Sequence, residues 1–298
     1  MAVRAYWIVG PGRMGLSIGA LLAQTDAAPP ILFVGRRPTA PAHPLLDSGR
    51  AAYASELVGA PAPGTAILFA VPDGAVATAA AGVAGLGPPG ADCVALHLSG
   101  ALASDTLAPL AELGYAVGSL HPLQTVADPI DGAGRLRGSY FTFEGGRRAK
   151  KVAQNIVRAA EGRLLELRVR DKARYHAACV FASNYVVACA AVAVRLLAES
   201  VDISEDEARQ ALSPLLHGAL ANLDALGLPA ALTGPIARGD VETVARHLRD
   251  LDEGEGALYR LLALEALRLA RRQGLSPALA DSLARELGVG TVEETETT

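Results

Sequence analysis

The chain has 298 residues, room for two domains at about 100 to 200 residues each. Hydrophobic residues make up 51% and charged residues 19%, which excludes wholesale disorder. The formal net charge of −4 offers no basic footprint for nucleic acid and no polybasic face for anionic lipid, so small molecules and other proteins are the expected partners.

From the N-terminus, short apolar runs alternate with helical stretches, the pattern of a parallel sheet with helices on its faces. Strands are predicted at 5–9, 31–34, 66–71, 93–98, 116–120 and 140–143, and helices at 13–24, 74–84 and 103–113. After Arg170 the strand signals stop, and 171–199, 204–226, 241–251, 256–273 and 277–287 carry helical periodicity. Ser204-Glu-Asp-Glu207 has the form of a capping box. The expected fold is therefore α/β, a Rossmann-type doubly wound sheet over 1–168, followed by an all-helical domain over 169–298. Glu293 to Thr298 reads as a solvated tail.

The uncharged run from Tyr175 to Val194 is close to the length of a membrane span. It carries His176, Ser183 and Asn184, which lipid would bury at a cost, so it is expected to be a buried core helix and no membrane partner is expected. Cys93, Cys179 and Cys189 are widely spaced with no CxxC, so neither a disulfide framework nor a metal site is indicated. The N-terminus enters at once into a strand, and a cytoplasmic location is expected.

Gly10-Pro-Gly12-Arg13-Met14-Gly15 is a GxGxxG that follows the first strand and opens a helix. The first glycine permits the tight turn, the second lets backbone approach a pyrophosphate, and the third lets helix and strand pack. The helix N-terminus adds unpaired amides and a positive dipole end. An NAD site usually has an acid after the second strand to accept from the ribose 2′-hydroxyl. Here Arg36 and Arg37 stand there instead, which suits a 2′-phosphate and predicts NADP(H), although exposed turn arginines are also common. Ala70-Val71-Pro72, at the carboxyl end of a strand, is expected beside the cofactor. Ser99 occupies the same edge, either on cofactor or substrate or as a cap for the helix that follows.

The motifs GPGRMG, AVPD at 70–73, LSGALASDTL at 98–107, SLHPLQTV at 119–126, YHAACVFASNYVVA at 175–188 and LTGPIARGD at 232–240 together resemble the family of Rossmann-like and DUF2520 domain-containing proteins. Its wider superfamily includes ketopantoate reductases, pyrroline-5-carboxylate reductases and prephenate dehydrogenases. The resemblance implies a nucleotide-binding domain, a helical domain that forms a homodimer, and an active site in the cleft between them. His121-Pro122 is similar to a His-Pro of prephenate dehydrogenases, but the rest of their substrate motif is not evident.

On one continuous helix at about 100° per residue, Lys172, His176 and Ser183 fall within roughly 40°, and Asn184 lies about 80° beyond His176. Reduction of a carbonyl needs a proton donor and groups that fix the substrate, beside a hydride source. Lys172 or His176 is the candidate donor, with Ser183, Asn184 and His121 sharing the catalytic face. Gln124, Thr233 and Arg238 are candidate substrate contacts, although Arg238 equally suits a pair with Asp240. The reading at this level is an NADP-dependent reductase of a small carbonyl or imine acid, ketopantoate first. The alternative is a non-catalytic NADP(H)-binding sensor.

Overall fold

The computed structural model describes residues 2–24 and 28–288, so the tail at 293–298 lies outside the described residues. The chain divides into two compact units, Met1–Asn184 and Tyr185–Thr298. The first unit therefore runs past the anticipated division at 168/169, because helix Lys172–Ala182 is tied to it by side-chain bonds described below.

In chain order the first unit comprises β1 (Ala5–Val9), α1 (Arg13–Leu22), β2 (Ile31–Val34), α2 (Pro44–Asp47), β3 (Ala52–Ala54), β4 (Thr65–Phe69) and α3 (Asp73–Ala84). There follow β5 (Val94–His97), a 3-10 turn (Ser104–Leu107), α4 (Ala108–Glu112), β6 (Ala116–Pro122) and α5 (Pro129–Leu136). It ends with β7 (Tyr140–Gly145), α6 (Arg147–Ala159), β8 (Arg163–Glu166) and α7 (Lys172–Ala182). The sheet order is β3-β2-β1-β4-β5-β6-β7-β8. Strands β1 to β6 are parallel, and the order reverses between β1 and β4, the switch point of a doubly wound sheet.

Alternate strand residues feed two cores, as the period of two requires. Ala66, Leu68, Val94 and Leu96 pack with Leu16, Ile18, Val152 and Ile156 on one face, whereas Ile67, Phe69 and Ala95 pack with Val76, Val83, Leu107 and Leu110 on the other. The last two strands depart from the parallel expectation, since β7 pairs antiparallel with β6. Helix α5 has 8 residues, about 12 Å of rise, against 7 extended residues in β6, so it does not return the chain to the far end of the sheet. Leu123 N donates to Tyr140 O, and β7 starts where β6 stops. The 13 residues of α6 then provide a full crossover, and β8 pairs parallel with β7.

The second unit is helical: α8 (Asn184–Val201), α9 (Glu205–Leu226), α10 (Pro235–Arg238), α11 (Val241–Asp250), α12 (Glu253–Arg272) and α13 (Pro277–Glu286). The capping box at Ser204 and Glu207 is formed, and Asp252 with Glu255 makes a second one that starts α12 earlier than the expected 256. The core gathers Ile236, Val244, Leu267, Leu283 and Leu287 from α10 to α13.

Two expectations about 171–199 are corrected. The segment is two helices, because Ser183 leaves the helical region (φ −131°, ψ −73°) and its Oγ donates back to Cys179 O at 2.7 Å. Nor is it a core helix, for only Lys172 of α7 and Ala198 of α8 are buried. Its apolar residues lie all around the helix, and this chain covers few of them. Lys172–Val201 is the one helical stretch among the described residues long and apolar enough to cross a membrane, by length and composition alone.

Candidate functional site

The carboxyl ends of β1, β2, β4, β5 and β6 share one edge of the sheet, and the predicted cofactor residues follow these strands. Gly10 has φ +102°, and a Cβ there would meet Ala70 O at 2.5 Å and Val71 Cγ1 at 2.8 Å. Glycine is the residue that fits that turn. A Cβ on Gly15 would collide with Gly10 O, so the third glycine lets α1 close on the turn. Around Gly12, by contrast, a Cβ would meet nothing within 4 Å among the described residues, and this glycine caps α1 with no side-chain bond of its own to the helix amides. Open space over free amides at a helix N-terminus is the cradle a pyrophosphate needs, so the residues present fit a dinucleotide. Arg13 is exposed and Met14 half-buried in the first turn of α1.

After β2, Arg36 and Arg37 are exposed, and Tyr53 fixes the turn by donating its hydroxyl to Arg37 O. No Asp or Glu follows until Asp47. Ala70 and Val71 are half-buried against Gly10, and Pro72 is the exposed N-cap of α3.

The edge beyond β5 and β6 meets α7. Lys172 is 4% exposed, and its ammonium donates to Ser119 Oγ (2.5 Å), Ser99 O (3.3 Å) and Leu102 O. Three protons thus have three partners. Burial lowers its pKa to about 8, with Glu144 and Asp73 opposing. Ser99 Oγ accepts from Ala101 N and Leu102 N and so closes its own turn; it does not cap the helical turn that follows, whose N-cap is Ala103. Lys172 therefore pins the start of α7 to the turn after β5.

One helical turn on, Tyr175 and His176 stand against His121 of β6. The Tyr175 hydroxyl is 2.6 Å from His121 Nδ1 and accepts from Thr142 Oγ1 at 2.9 Å. The His121 and His176 rings meet edge to face, centroids 6.1 Å apart. Gly100 makes room for both, since a Cβ there would meet His176 Cδ2 at 2.6 Å and His121 Cε1 at 2.9 Å. Burial first, then the cationic forms of His176 and Lys172, lower the His121 pKa to about 4. His176 is half-buried and forms no hydrogen bond among the described residues. His97, fully buried on β5, donates through Nε2 to Ala103 O at 3.0 Å and leaves Nδ1 without a partner among the described residues.

Of the predicted face, Lys172, His176 and His121 come together, joined by the predicted cofactor-edge residue Ser99. Ser183 and Asn184 lie beyond the end of α7, where Ser183 Oγ reaches Asn184 Oδ1 at 3.0 Å. Gln124 is occupied in its own loop, bonded to Arg135 O and Thr125 N. Thr233 and Arg238 belong to the second unit; Arg238 ends the short helix α10, and Asp240 instead caps α11 by accepting from Thr243 N at 3.1 Å. Tyr175, Thr142 and His97 were not singled out. For Tyr175 a signal existed, because Lys172, Tyr175, His176 and Cys179 follow the i, i+3, i+4, i+7 rule.

A reversed strand order with a glycine turn at the switch point defines a Rossmann-type nucleotide-binding fold. Residues 139–266 match the family described as Domain of unknown function (DUF2520), the same family that the motifs resemble. Among solved structures, a protein from Thermotoga maritima is similar over 91% of this chain and 100% of its own, with a TM-score of 0.68 and 21% identity. A candidate NADP oxidoreductase from Bacteroides fragilis is similar over 89% and 98%, with a TM-score of 0.67 and 19% identity. Pyrroline carboxylate reductase of Plasmodium falciparum, with NADP bound, is similar over 98% and 100%, with a TM-score of 0.55 and 12% identity. At such identities the likeness is one of fold. No curated relative matches the sequence.

Proposed function

We propose that the protein is an NADP(H)-dependent oxidoreductase that reduces a small carbonyl or imine acid, with a ketopantoate-like 2-oxo acid as the first substrate to test. The observation that carries this reading is the open cradle at Gly12 on the same sheet edge as His121. The NADP named with the Plasmodium structure agrees with it.

In this reading the Gly10–Gly15 turn and the first amides of α1 hold the pyrophosphate, and Ala70 to Pro72 pack alongside. Arg36 and Arg37 hold the 2′-phosphate by charge-assisted bonds. A reduced nicotinamide, when bound, supplies hydride to the acceptor carbon. Between the two candidate proton donors the geometry favours His176, whose ring nitrogens form no hydrogen bond among the described residues, while the Lys172 protons are committed to Ser119, Ser99 and Leu102. Lys172 then acts as a positioning residue for the turn that carries Gly100. The protein is proposed to work as a homodimer through its helical unit, in the cytoplasm.

Titration with both cofactors tests the first half of this reading. NADPH should bind more tightly than NADH, and removing both arginines (R36A/R37A) should erase that preference by about 10- to 100-fold, the worth of one or two charge-assisted bonds. Absorbance then follows NADPH oxidation with a panel of 2-oxo acids and cyclic imine acids. Tighter NADH binding would overturn the cofactor assignment. Tight NADPH binding without turnover of any panel member would favour a sensor.

A further inference from the structure

We propose that Tyr175 is a positioning residue that holds His121 as its Nε2–H tautomer, so that the site offers a neutral N–H donor to an oxygen of the substrate. The tautomer assignment stands on geometry alone; the role toward substrate rests on the reductase reading above.

The three groups form a chain from Thr142 through Tyr175 to His121, at 2.9 Å and 2.6 Å. The Thr142 hydroxyl donates to the phenol oxygen, which leaves the phenol proton to be given away. Two acceptors are within reach of it, His121 Nδ1 and the sulfur of Cys179 one turn along α7. Thiol sulfur is a weak acceptor and an imidazole lone pair a strong one, and the phenol is a better donor than a threonine hydroxyl. The proton therefore goes to Nδ1, and the imidazole proton must sit on Nε2. That nitrogen has no partner among the described residues and belongs to a half-buried ring at the Gly100 turn.

The charge of the ring fits the same assignment. His121 is faced by His176 and Lys172 from α7, by His97 from β5, and by Asp73 at the start of α3. Three of these four are basic groups that disfavour an imidazolium, and only Asp73 opposes them. A neutral N–H suits a carbonyl or carboxylate oxygen, whereas a protonated imine nitrogen has no lone pair to accept from it. His121 thus favours 2-oxo acids, and in an imine acid would meet the carboxylate.

Nitrogen NMR of the full-length protein labelled in histidine, with His121→Asn to assign the signals, tests this without any turnover. The wild-type protein should show His121 as a single neutral species, Nε2 protonated and Nδ1 not, between about pH 5 and 9. Tyr175→Phe takes away the bond donated to the neutral form, so the protonation equilibrium should shift about tenfold toward imidazolium and both tautomers should exchange. Thr142→Val, which removes the outer donor, gives a smaller shift in the same direction if Tyr175→Phe does not fold. A proton on Nδ1 in the wild-type protein would overturn the proposal, as would nitrogen shifts and a titration midpoint unchanged in Tyr175→Phe. A protein that shows the tautomer but reduces no substrate would leave the tautomer standing and refute the reductase reading.

Discussion

A buried ammonium with every proton bonded is costly to disturb, and Lys172 is such a group. Its partners are two backbone carbonyls and a serine hydroxyl, and only 4% of the residue is exposed. Lys172→Met keeps the stem of the side chain and deletes the donors. The Leu102 carbonyl would then lose its partner, at about 1 to 3 kcal/mol for a polar group left unsatisfied, while Ser99 O would keep the bond it accepts from Ser119 Oγ at 3.2 Å. Urea unfolding should record a loss of that order, and turnover should fall because the Gly100 turn loosens beneath two histidines. NADPH affinity, proposed above to be set at Gly12 and Arg36, should hold. Full stability with abolished turnover would instead make Lys172 the proton donor.

Among elements, the packing of α1 on α5 rests on one missing side chain. A Cβ on Gly132 would overlap Ser17 Oγ and stand 2.6 Å from Ser17 Cβ, with Val126 Cγ1 at 2.9 Å. Gly132→Ala should therefore force the helices apart and cost about 1 to 3 kcal/mol despite alanine's better helix propensity. Thermal unfolding should show the drop, and Ser17→Gly in the same chain should restore part of it; an unchanged or raised midpoint in the single variant would refute the close approach. What the sequence made legible follows from locality. The turn at Gly10 to Gly15 and the capping box at Ser204 are each written within a few residues, and both form. The reversal of β7 depends on α5 being too short to cross the sheet, a property of the connection rather than of the strand. Helix α6 was missed because Arg147, Arg148, Lys150 and Lys151 mask Ala149, Val152, Ala153 and Ile156, the buried stripe. The His121 and Tyr175 pair, 54 residues apart in sequence, has no local signature except the i, i+3 step from Lys172.

At the scale of the whole molecule, apolar surface is left over. The second unit builds its core from α10 to α13, while α8 and α9, with 18 and 22 residues, each bury one alanine, Ala198 and Ala208. On α9 the positions Leu216, Leu220 and Leu223 repeat at i, i+4 and i+7, and Leu220 and Leu223 are 49% and 42% exposed. Val187 on α8 is 70% exposed. Contiguous apolar faces of this kind mark an interaction surface, and an obligate partner interface resembles a core cut in half. A second copy of the chain is the occupant consistent with the family resemblance. Sedimentation velocity should find the wild-type protein as a dimer at micromolar concentration. The double substitution Leu220→Glu and Leu223→Glu should convert it to monomer by placing carboxylates where they would be desolvated, at several kcal/mol per buried charge. The same substitutions should leave NADPH binding intact, because the glycine turn and Arg36 belong to the first unit. A wild-type monomer would remove the second copy as the occupant. Partition of that monomer onto lipid vesicles would then assign the apolar stretch Lys172–Val201 to a membrane surface instead.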